Sequence, residues 1–374
     1  MNVGILTFHW AYNYGSLLQA YCLCKVVRNL GHNVQIIDWA PPGNYVHWWQ
    51  QWGVRYGRQL PARALRRVRS DRFKRRNLSF TKRCASVQDL VRVAGDQDAV
   101  IVGSDQLWNF HIVPAAGTAY FLDFVQSPRG RRISYAACFG DRQQPQNALT
   151  LAGPLLRRFD SLSVRDEMSA ELVYELSGRS PSIVLDPTLL DDFSGLLRDR
   201  PFKQDYIAAY FISRDHISLG ARIMRSMKER LGIPVIVIGD AHAVTAEHRS
   251  VLSAGPLEWL TLLRNAAFIC TDSFHGTVAA IKFERPFLTW QGKRPDRLRS
   301  LLAASGLQER LISEYDASVI DRLTGIAIDY KKVKQRLEPR IRSSMRFLRE
   351  ALDCSAEWSG VSETDYSSLQ TPLP

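Results

Sequence analysis

Short apolar runs that end in Gly, Ser, Thr or Asp alternate with segments of helical period, and this alternation constrains the fold more than any other feature of the sequence. It is typical of parallel β-strands joined by crossover helices. The first repeat predicts a strand over residues 3–7 and a helix over residues 16–30, which Gly31 ends. A chain of 374 residues exceeds the roughly 250–300 residues that a single core accommodates. We therefore expect an α/β protein of two domains.

The same pattern runs through both halves of the chain. In the first half, further strands are predicted at residues 34–38, 99–102, 132–137, 161–164 and 183–185. After a polar stretch the alternation restarts, with strands predicted at residues 206–212, 235–238, 268–271 and, as the last strand, 287–290. We therefore predict an N-terminal domain over residues 1–190, a C-terminal domain over 200–330, a charged helix over 331–353 and a disordered tail over 354–374.

The composition is that of a soluble globular protein, with 45% hydrophobic and 23% charged residues. No apolar run approaches the roughly 18–20 residues of a membrane span, and the N-terminus lacks the pattern of a secretion signal, so we expect a cytoplasmic protein. The net charge of +12 has a local origin, because residues 55–83 hold twelve Lys or Arg against one acid, Asp71. Since the rest of the chain is nearly neutral, nucleic acid is not the expected partner.

Absent motifs argue against several classes of enzyme. The six cysteines form neither a Cys-x-x-Cys pair nor a Cys/His cluster with zinc spacing, which predicts reduced core residues and no metal site. No Gly-x-x-x-x-Gly-Lys-Ser/Thr phosphate loop and no Gly-x-Gly-x-x-Gly fingerprint occurs at a first strand–helix junction. The sequence therefore argues against ATP chemistry and against dinucleotide redox chemistry.

The junctions between strands and helices are the candidate sites, because ligands of open parallel sheets meet unpaired helix amides there. The sharpest junction is TDSFHGT at residues 271–277, where Asp272 or Ser273 can cap the next helix. His275 and Gly276 then fall in its first turn, and an imidazole there can donate a proton near neutral pH. The alternative is that Asp272 is only a cap and His275 a hydrogen-bonded core histidine.

Two other junctions carry charged residues. Arg165 follows a strand directly and offers a rigid fork for a carboxylate or phosphate, unless it pairs locally with Asp166 or Glu167. Asp105 follows another strand and can orient a base or bind a sugar hydroxyl, or it can be a helix cap.

Two loops add less specific signals. The aromatic loop at residues 10–16 can stack on a sugar ring or simply pack. The loop after the last predicted strand carries Lys293, Arg294 and Arg297, which can close over an anionic donor or remain solvated.

Taken together, these junctions resemble the polysaccharide pyruvyl transferase family. The stretches that carry the resemblance are GILT at residues 4–7, NYGSLLQAY at 13–21, VGSDQLWN at 102–109, ISYAA at 133–137, SVRD at 163–166 and TDSFHGT at 271–277. They occur in the order of the family and cover roughly residues 1–310.

The resemblance implies a fold of two Rossmann-like domains in a GT-B-like arrangement. It also implies an enzyme of exopolysaccharide biosynthesis that needs no metal and no cofactor, with phosphoenolpyruvate as co-substrate. The pyruvyl group would pass to a pair of sugar hydroxyls, which forms a pyruvate ketal and releases phosphate. By position, His275 would be the acid/base and Arg165 would hold the donor. Some members carry a lysine after the last strand, for which Lys293 is the nearest match.

The predicted site has three parts. The catalytic residues are His275, Arg165 and Asp105. The donor-binding residues are Ser273, Gly276, Lys293 and Arg294, with Arg297 as a competitor for the last two. The acceptor-binding residues are Asn13, Tyr14, Gly15, Ser104 and Trp108. The acceptor is a sugar, an oligosaccharide or a lipid-linked saccharide.

Two other functions are compatible with the sequence. A glycosyltransferase that uses a nucleotide sugar can share the fold, since a fold alone does not determine function. A non-enzymatic binding protein could act through residues 55–83.

The basic segment also predicts a membrane contact. Leu60, Ala64 and Val68 repeat at helical spacing within it, which gives a narrow apolar stripe on a cationic helix. Peripheral attachment to anionic lipid at the inner membrane surface would involve Arg63, Arg66, Arg67, Arg69, Arg72, Lys74, Arg75 and Arg76.

Overall fold

The N-terminal half of the protein forms a parallel sheet covered by helices. The computed structural model describes residues 1–10, 12–40, 59–113, 117–126, 130–199, 201–212, 217–239, 248–290 and 296–353. Its elements up to residue 190 are β1 (Asn2–Leu6), α1 (Tyr14–Asn29), β2 (Asn33–Ile36), α2 (Leu60–Asn77), α3 (Val87–Gly95), β3 (Ala99–Val102), β4 (Arg131–Ser134), α4 (Gln146–Leu156), β5 (Ser163–Val164), α5 (Glu167–Ser177), β6 (Ser182–Ile183) and α6 (Pro187–Leu190). The strand order is β2-β1-β3-β4, and isolated bridges connect β4 to the parallel pair β5-β6.

The C-terminal half forms a second parallel sheet. Its elements are β7 (Ile207–Tyr210), α7 (Ile217–Leu231), β8 (Val235–Ile238), β9 (Arg249–Val251), α8 (Pro256–Arg264), β10 (Phe268–Thr271), α9 (Phe274–Lys282), β11 (Phe287–Trp290), α10 (Asp296–Ser305), β12 (Leu311–Ile312), α11 (Ala317–Gly325) and α12 (Tyr330–Leu352). The order β9-β8-β7-β10-β11-β12 is that of a doubly wound nucleotide-binding sheet.

The strand order locates the ligand site in each sheet. In the first sheet the order reverses between β1 and β3, and in the second between β7 and β10. Ligands of doubly wound sheets bind at such switch points, beyond the carboxyl ends of the strands. The predicted junctions after β1, β3 and β10 therefore lie at the switch points.

Two strands were missing from the prediction. The expectation that residues 287–290 form the last strand is wrong, since β12 pairs with β11 through Thr289 and Leu311. β9 pairs with β8 at the other edge. Both are only two or three residues long, and β9 contains Arg249 and Ser250, so neither has the apolar run that identifies a buried strand.

The two halves share one apolar core, which runs through their interface. Thirteen of the sixteen residues of α1 are buried, because this helix packs on the first sheet and also against α8 of the second half. Tyr14 stacks on Trp259 with ring centroids 5.5 Å apart and donates its hydroxyl to the carbonyl of Ala254 at 2.8 Å. The exact domain boundaries near residues 190 and 200 stay a prediction.

The basic helix α2 also bridges the two halves. Arg69 donates to the carbonyl of Ser253 at 2.8 Å and lies 3.4 Å from the carboxylate of Glu258. Arg66 donates to the carbonyl of Tyr12 at 2.8 Å and covers the ring of Tyr14. Part of the charge that suggested a membrane surface therefore binds the protein itself.

The last helix, α12, returns to the first half. Its stripe of Val333, Leu337, Leu348 and Leu352 is buried, and Ser344 accepts a hydrogen bond from the backbone of Leu185 at 2.9 Å. The predicted tail over 354–374 lies outside the described residues. None of the helices in the described part of the chain is long and apolar enough to span a bilayer.

Candidate functional site

The N-termini of α1 and α9 meet between the two sheets. Ser273 caps α9 by accepting a hydrogen bond from the amide of Gly276 at 3.3 Å, and Asn13 caps α1 by accepting from the amide of Ser16 at 3.2 Å. His275 lies in the first turn of α9 and is buried. Two positive helix ends therefore converge on one imidazole, which is an arrangement suited to an anion.

The imidazole of His275 packs directly against the backbone of Gly15. A Cβ atom added to Gly15 would lie 2.1 Å from Nδ1 of His275, so only glycine permits this approach. On the other side of the ring, Nε2 lies 3.6 Å from Oδ2 of Asp186 and makes no hydrogen bond within the described residues. The ring is thus held in place while one nitrogen is left for a ligand.

Asp186 connects these elements through a fully buried carboxylate. It accepts hydrogen bonds from the hydroxyl of Ser104 at 2.6 Å, from Nη1 of Arg165 at 2.8 Å and from the hydroxyl of Thr188 at 2.6 Å. Burial alone would raise the pKa of Asp186, but the charges of His275 and Arg165 and the hydrogen bond from Ser104 hold it well below its usual range. The group therefore remains ionised and acts as a fixed negative charge.

Asp105 is a second buried carboxylate, on a strained backbone. Its φ of 106° lies in the left-handed region, which residues with side chains rarely adopt. Oδ2 accepts from the hydroxyl of Ser16 at 3.0 Å, and Oδ1 lies 3.5 Å from Nη2 of Arg165. Burial alone would raise the pKa of Asp105, but Arg165, His275 and Arg297 together lower it.

Arg165 is the buried cation between these two carboxylates. Its guanidinium lies over the ring of Phe274, and its Nη2 also donates to Sγ of Cys138 at 3.2 Å. Burial raises the pKa of the Cys138 thiol to about 12, so this sulfur is uncharged near neutral pH. Nε of Arg165 is buried and makes no hydrogen bond to any described residue. The alternative from the sequence was a local pair with Asp166 or Glu167, but Arg165 pairs with Asp186 instead.

Arg297, in the first turn of α10, completes the cluster. Nη1 lies 4.0 Å from Oδ1 of Asp105, and 12% of the side chain is exposed. Like Arg165, it lies over the ring of Phe274. The cluster thus contains His275, both arginines and the two carboxylates, whereas Lys293 and Arg294 lie outside the described residues.

Several predicted site residues have structural contacts here. Trp108 is fully buried, donates Nε1 to the carbonyl of Tyr120 and stacks on Phe121, so it supports the first sheet from its core. Tyr14 is buried in the interface between the halves.

Other predicted residues support the site through caps and hydrogen bonds. The hydroxyl of Ser104 donates to Asp186. Ser273 and Gly276 bond to each other, so their contact with a donor stays a prediction. Asp272 does not cap α9 and instead accepts from the amide of Ile212 at 2.7 Å.

Sequence reasoning missed Asp186 as a site residue. Asp186 caps α6 directly after a short buried stretch, the same strand–cap signal that identified residues 271–277. The adjacent proline suggested a domain boundary instead. Arg297 was identified only as one of three cations in a loop, because its burial depends on contacts with distant residues.

The sequence matches a known family over most of this site. The model of the family described as polysaccharide pyruvyl transferase matches residues 13–289, which include His275, Arg165, Asp105 and Asp186 and exclude Arg297. No curated protein gives a significant match to the sequence.

The fold is similar to that of solved sugar-nucleotide enzymes. The UDP-GlcNAc 2-epimerase from Methanocaldococcus jannaschii shares 12% identity and a TM-score of 0.53, over 88% of this chain and 93% of that one. The UDP-GlcNAc 2-epimerase from Neisseria meningitidis, bound to UDP-GlcNAc, also shares 12% identity and a TM-score of 0.53, over 94% and 99% of the two chains. At this identity the likeness concerns the fold alone, and it confirms the predicted GT-B-like arrangement of two Rossmann-like domains.

We expect Gly15→Ala to reduce enzymatic activity by about 100-fold, because the new methyl group would displace the imidazole of His275 and a misplacement of about 1 Å can have that effect. Gly95→Ala is the matched control, since a Cβ atom there meets no atom within 4 Å. Initial rates of both variants test this. Equal rates would show that the close approach of Gly15 does not position His275.

We expect Asp186→Asn to lower the free energy of unfolding by about 3–5 kcal/mol near neutral pH, since it breaks a buried ion pair. The folded-state pKa of Asp186 is depressed, so its stabilising contribution is present above the ordinary pKa of about 4 and is lost as the pH falls below it. The difference between wild type and variant should therefore shrink in acid. Urea unfolding at a series of pH values measures this difference in free energy. Asp321→Asn, at a half-exposed carboxylate, is the control. A difference that does not change with pH would contradict the prediction.

Proposed function

The chain belongs to the polysaccharide pyruvyl transferase family, and we propose that it transfers a pyruvyl group from phosphoenolpyruvate to two hydroxyls of a saccharide, with release of phosphate. The observation that carries the proposal is the unpaired Nε2 of His275, buried between two helix N-termini and beside the cationic Arg165. A proton donor next to an anion site is what this chemistry requires.

In the first proposed step, protonated His275 gives its proton to the methylene carbon of phosphoenolpyruvate. The π electrons of the enol double bond form the new C–H bond, which leaves an oxocarbenium-like carbon between the carboxylate and the phosphate ester. A sugar hydroxyl attacks this carbon, and its proton passes to the now neutral imidazole. The buried, ionised carboxylate of Asp186 lies 3.6 Å from Nε2 and faces the ring.

In the second step, another hydroxyl of the same sugar attacks the same carbon. The bond between this carbon and the phosphate oxygen breaks, and phosphate leaves with the electron pair and takes up the proton of the hydroxyl. The arginines and the positive end of α9 lower the barrier, since they stabilise the charge that develops on phosphate. The products are a pyruvate ketal and inorganic phosphate.

A glycosyltransferase that uses a nucleotide sugar is the alternative, because the similar epimerases bind UDP-GlcNAc on the same fold. UDP or GDP would inhibit such an enzyme, and phosphoenolpyruvate would have no effect on it. The family match favours the pyruvyl transferase.

We expect His275→Ala to abolish transfer while the fold is retained, because the N-terminus of α9 is capped by Ser273 and not by the imidazole. The test incubates phosphoenolpyruvate with soluble and lipid-linked saccharides and follows phosphate release and, by mass spectrometry, the ketal. His111→Ala, on an exposed histidine, is the control. A His275→Ala variant that keeps more than about a tenth of the wild-type rate would exclude His275 as the acid. Such a loss raises the activation free energy by roughly 1.4 kcal/mol or less.

We also propose that the exposed face of α2 contacts anionic lipid. Its exposed residues include the apolar Leu60, Ala64, Leu65 and Val68 and the cationic Arg72, Arg75 and Arg76. Arg66, Arg67, Arg69 and Lys74 bind groups of the protein itself, so they contribute less than the sequence suggested. Each exposed cation near an anionic membrane contributes about 1 kcal/mol.

Replacing Arg72, Arg75 and Arg76 together by Glu should abolish co-sedimentation with vesicles that contain phosphatidylserine at low salt. The same change at Arg342, Arg346 and Arg349 is the control, because these residues are exposed on α12 and alter the net charge equally. Equal losses from both variants, or wild-type binding to neutral vesicles, would exclude the α2 face as a membrane contact.

A further inference from the structure

Arg297 is a largely enclosed cation with a long ion pair to the described residues. Its closest carboxylate oxygen, Oδ1 of Asp105, is 4.0 Å from Nη1, which is longer than a hydrogen bond. Its Nε is buried and without a hydrogen-bond partner among the described residues. Burial lowers the pKa of Arg297, and the neighbouring charge of Arg165 lowers it further. Such a group is costly to bury unless an anion binds it.

Three N–H donors of the cluster are buried without a hydrogen-bond acceptor among the described residues. Nε of Arg297, Nε of Arg165 and Nε2 of His275 are all buried and all lack an acceptor in the described part of the chain. The carboxylates of Asp105 and Asp186 balance the charges of the two arginines, so net charge does not distinguish the cluster. Other described arginines, such as Arg132 and Arg285, also have a buried Nε without a partner. The cluster differs from them because three such donors meet in one place, whereas buried polar groups are normally paired.

The two arginines line a common cavity. It measures about 420 Å³, including the space open to solvent, and its wall also contains Asp186, Phe274, Leu189 and Leu301. Arg165 forms the deep part, since only 2% of its side chain is exposed, and Arg297 is more accessible with 12%. A ligand in this cavity would meet one guanidinium at depth and the other nearer to solvent.

We propose that Arg297 binds the phosphate group of the donor, while Arg165 binds its carboxylate. The inference rests on the proposed function and names a donor residue that lies outside the family match. Arg297 presents a planar fork that suits a phosphate. Both Nη atoms of Arg165 already contact Asp186 and Cys138, so its unpaired Nε is the donor left for the carboxylate. In this assignment the phosphate occupies the side of the cavity nearer to solvent, where Arg297 is more exposed than Arg165. The carboxylate stays with the product and binds at the deep arginine.

Isothermal titration of three probes tests the assignment: phosphoenolpyruvate, inorganic phosphate and pyruvate. Arg297→Gln should weaken the binding of phosphoenolpyruvate and of phosphate by about 10- to 100-fold, as expected for hydrogen bonds to a charged group. It should leave the affinity for pyruvate nearly unchanged. Arg165→Gln should weaken pyruvate more than phosphate. Arg299→Gln is the matched control, because Arg299 lies on the same helix with 56% of its side chain exposed.

The outcomes separate this inference from the proposed function. A wild-type protein that binds no phosphoenolpyruvate would overturn the proposed function. If the wild-type protein binds phosphoenolpyruvate and Arg297→Gln binds it with the same affinity, only the role of Arg297 is overturned. If Arg297→Gln loses equal affinity for pyruvate and for phosphate, the assignment of Arg297 to the phosphate group is overturned. Should Arg297→Gln fail to fold, Arg297→Lys tests the role of Arg297 instead, since lysine keeps the positive charge and lacks the planar guanidinium. It should weaken phosphate binding measurably, and wild-type affinity in this variant would also overturn the inference.

Discussion

The carboxylate of Asp186 is the group on which the arrangement of the site depends. Removing a carboxylate from water costs several kcal/mol, and only close hydrogen-bond partners offset that cost. Its partner Ser104 follows β3 of the first sheet, and Arg165 follows β5 of the adjoining pair β5-β6. His275, 3.6 Å away, follows β10 of the second sheet. A single buried charge therefore couples the carboxyl ends of both halves, and it positions both the proposed acid, His275, and the proposed donor-binding residue, Arg165.

The part of the site that could be predicted from the sequence depends on local signals. At residues 271–277 a buried strand, a capping serine and a helical segment follow one another, and the structure has Ser273 as the cap and His275 in the first turn. Arg165 was also identified as the residue after a strand. Its partner was not, because Asp186 lies 21 residues further along the chain and no spacing rule relates the two.

The roles of aromatic residues could not be predicted from the sequence. An aromatic loop residue can stack on a sugar or pack in a core, and distant contacts decide between them. Tyr14 donates to the carbonyl of Ala254, which is 240 residues away, and Trp108 is enclosed by the first sheet and its loops. β12 was missed for a different reason, since a strand of two residues has no period to detect.

The path of α12 has a consequence for the order of folding during synthesis. This helix begins beside the second half, yet Ser344 accepts a hydrogen bond from Leu185, and Phe347 packs near Tyr135 of the first half. Domains usually fold in sequence as the chain leaves the ribosome. Here the first half keeps an uncovered apolar surface until residue 352 has emerged. That surface is therefore open to aggregation from the time the first half emerges until α12 follows.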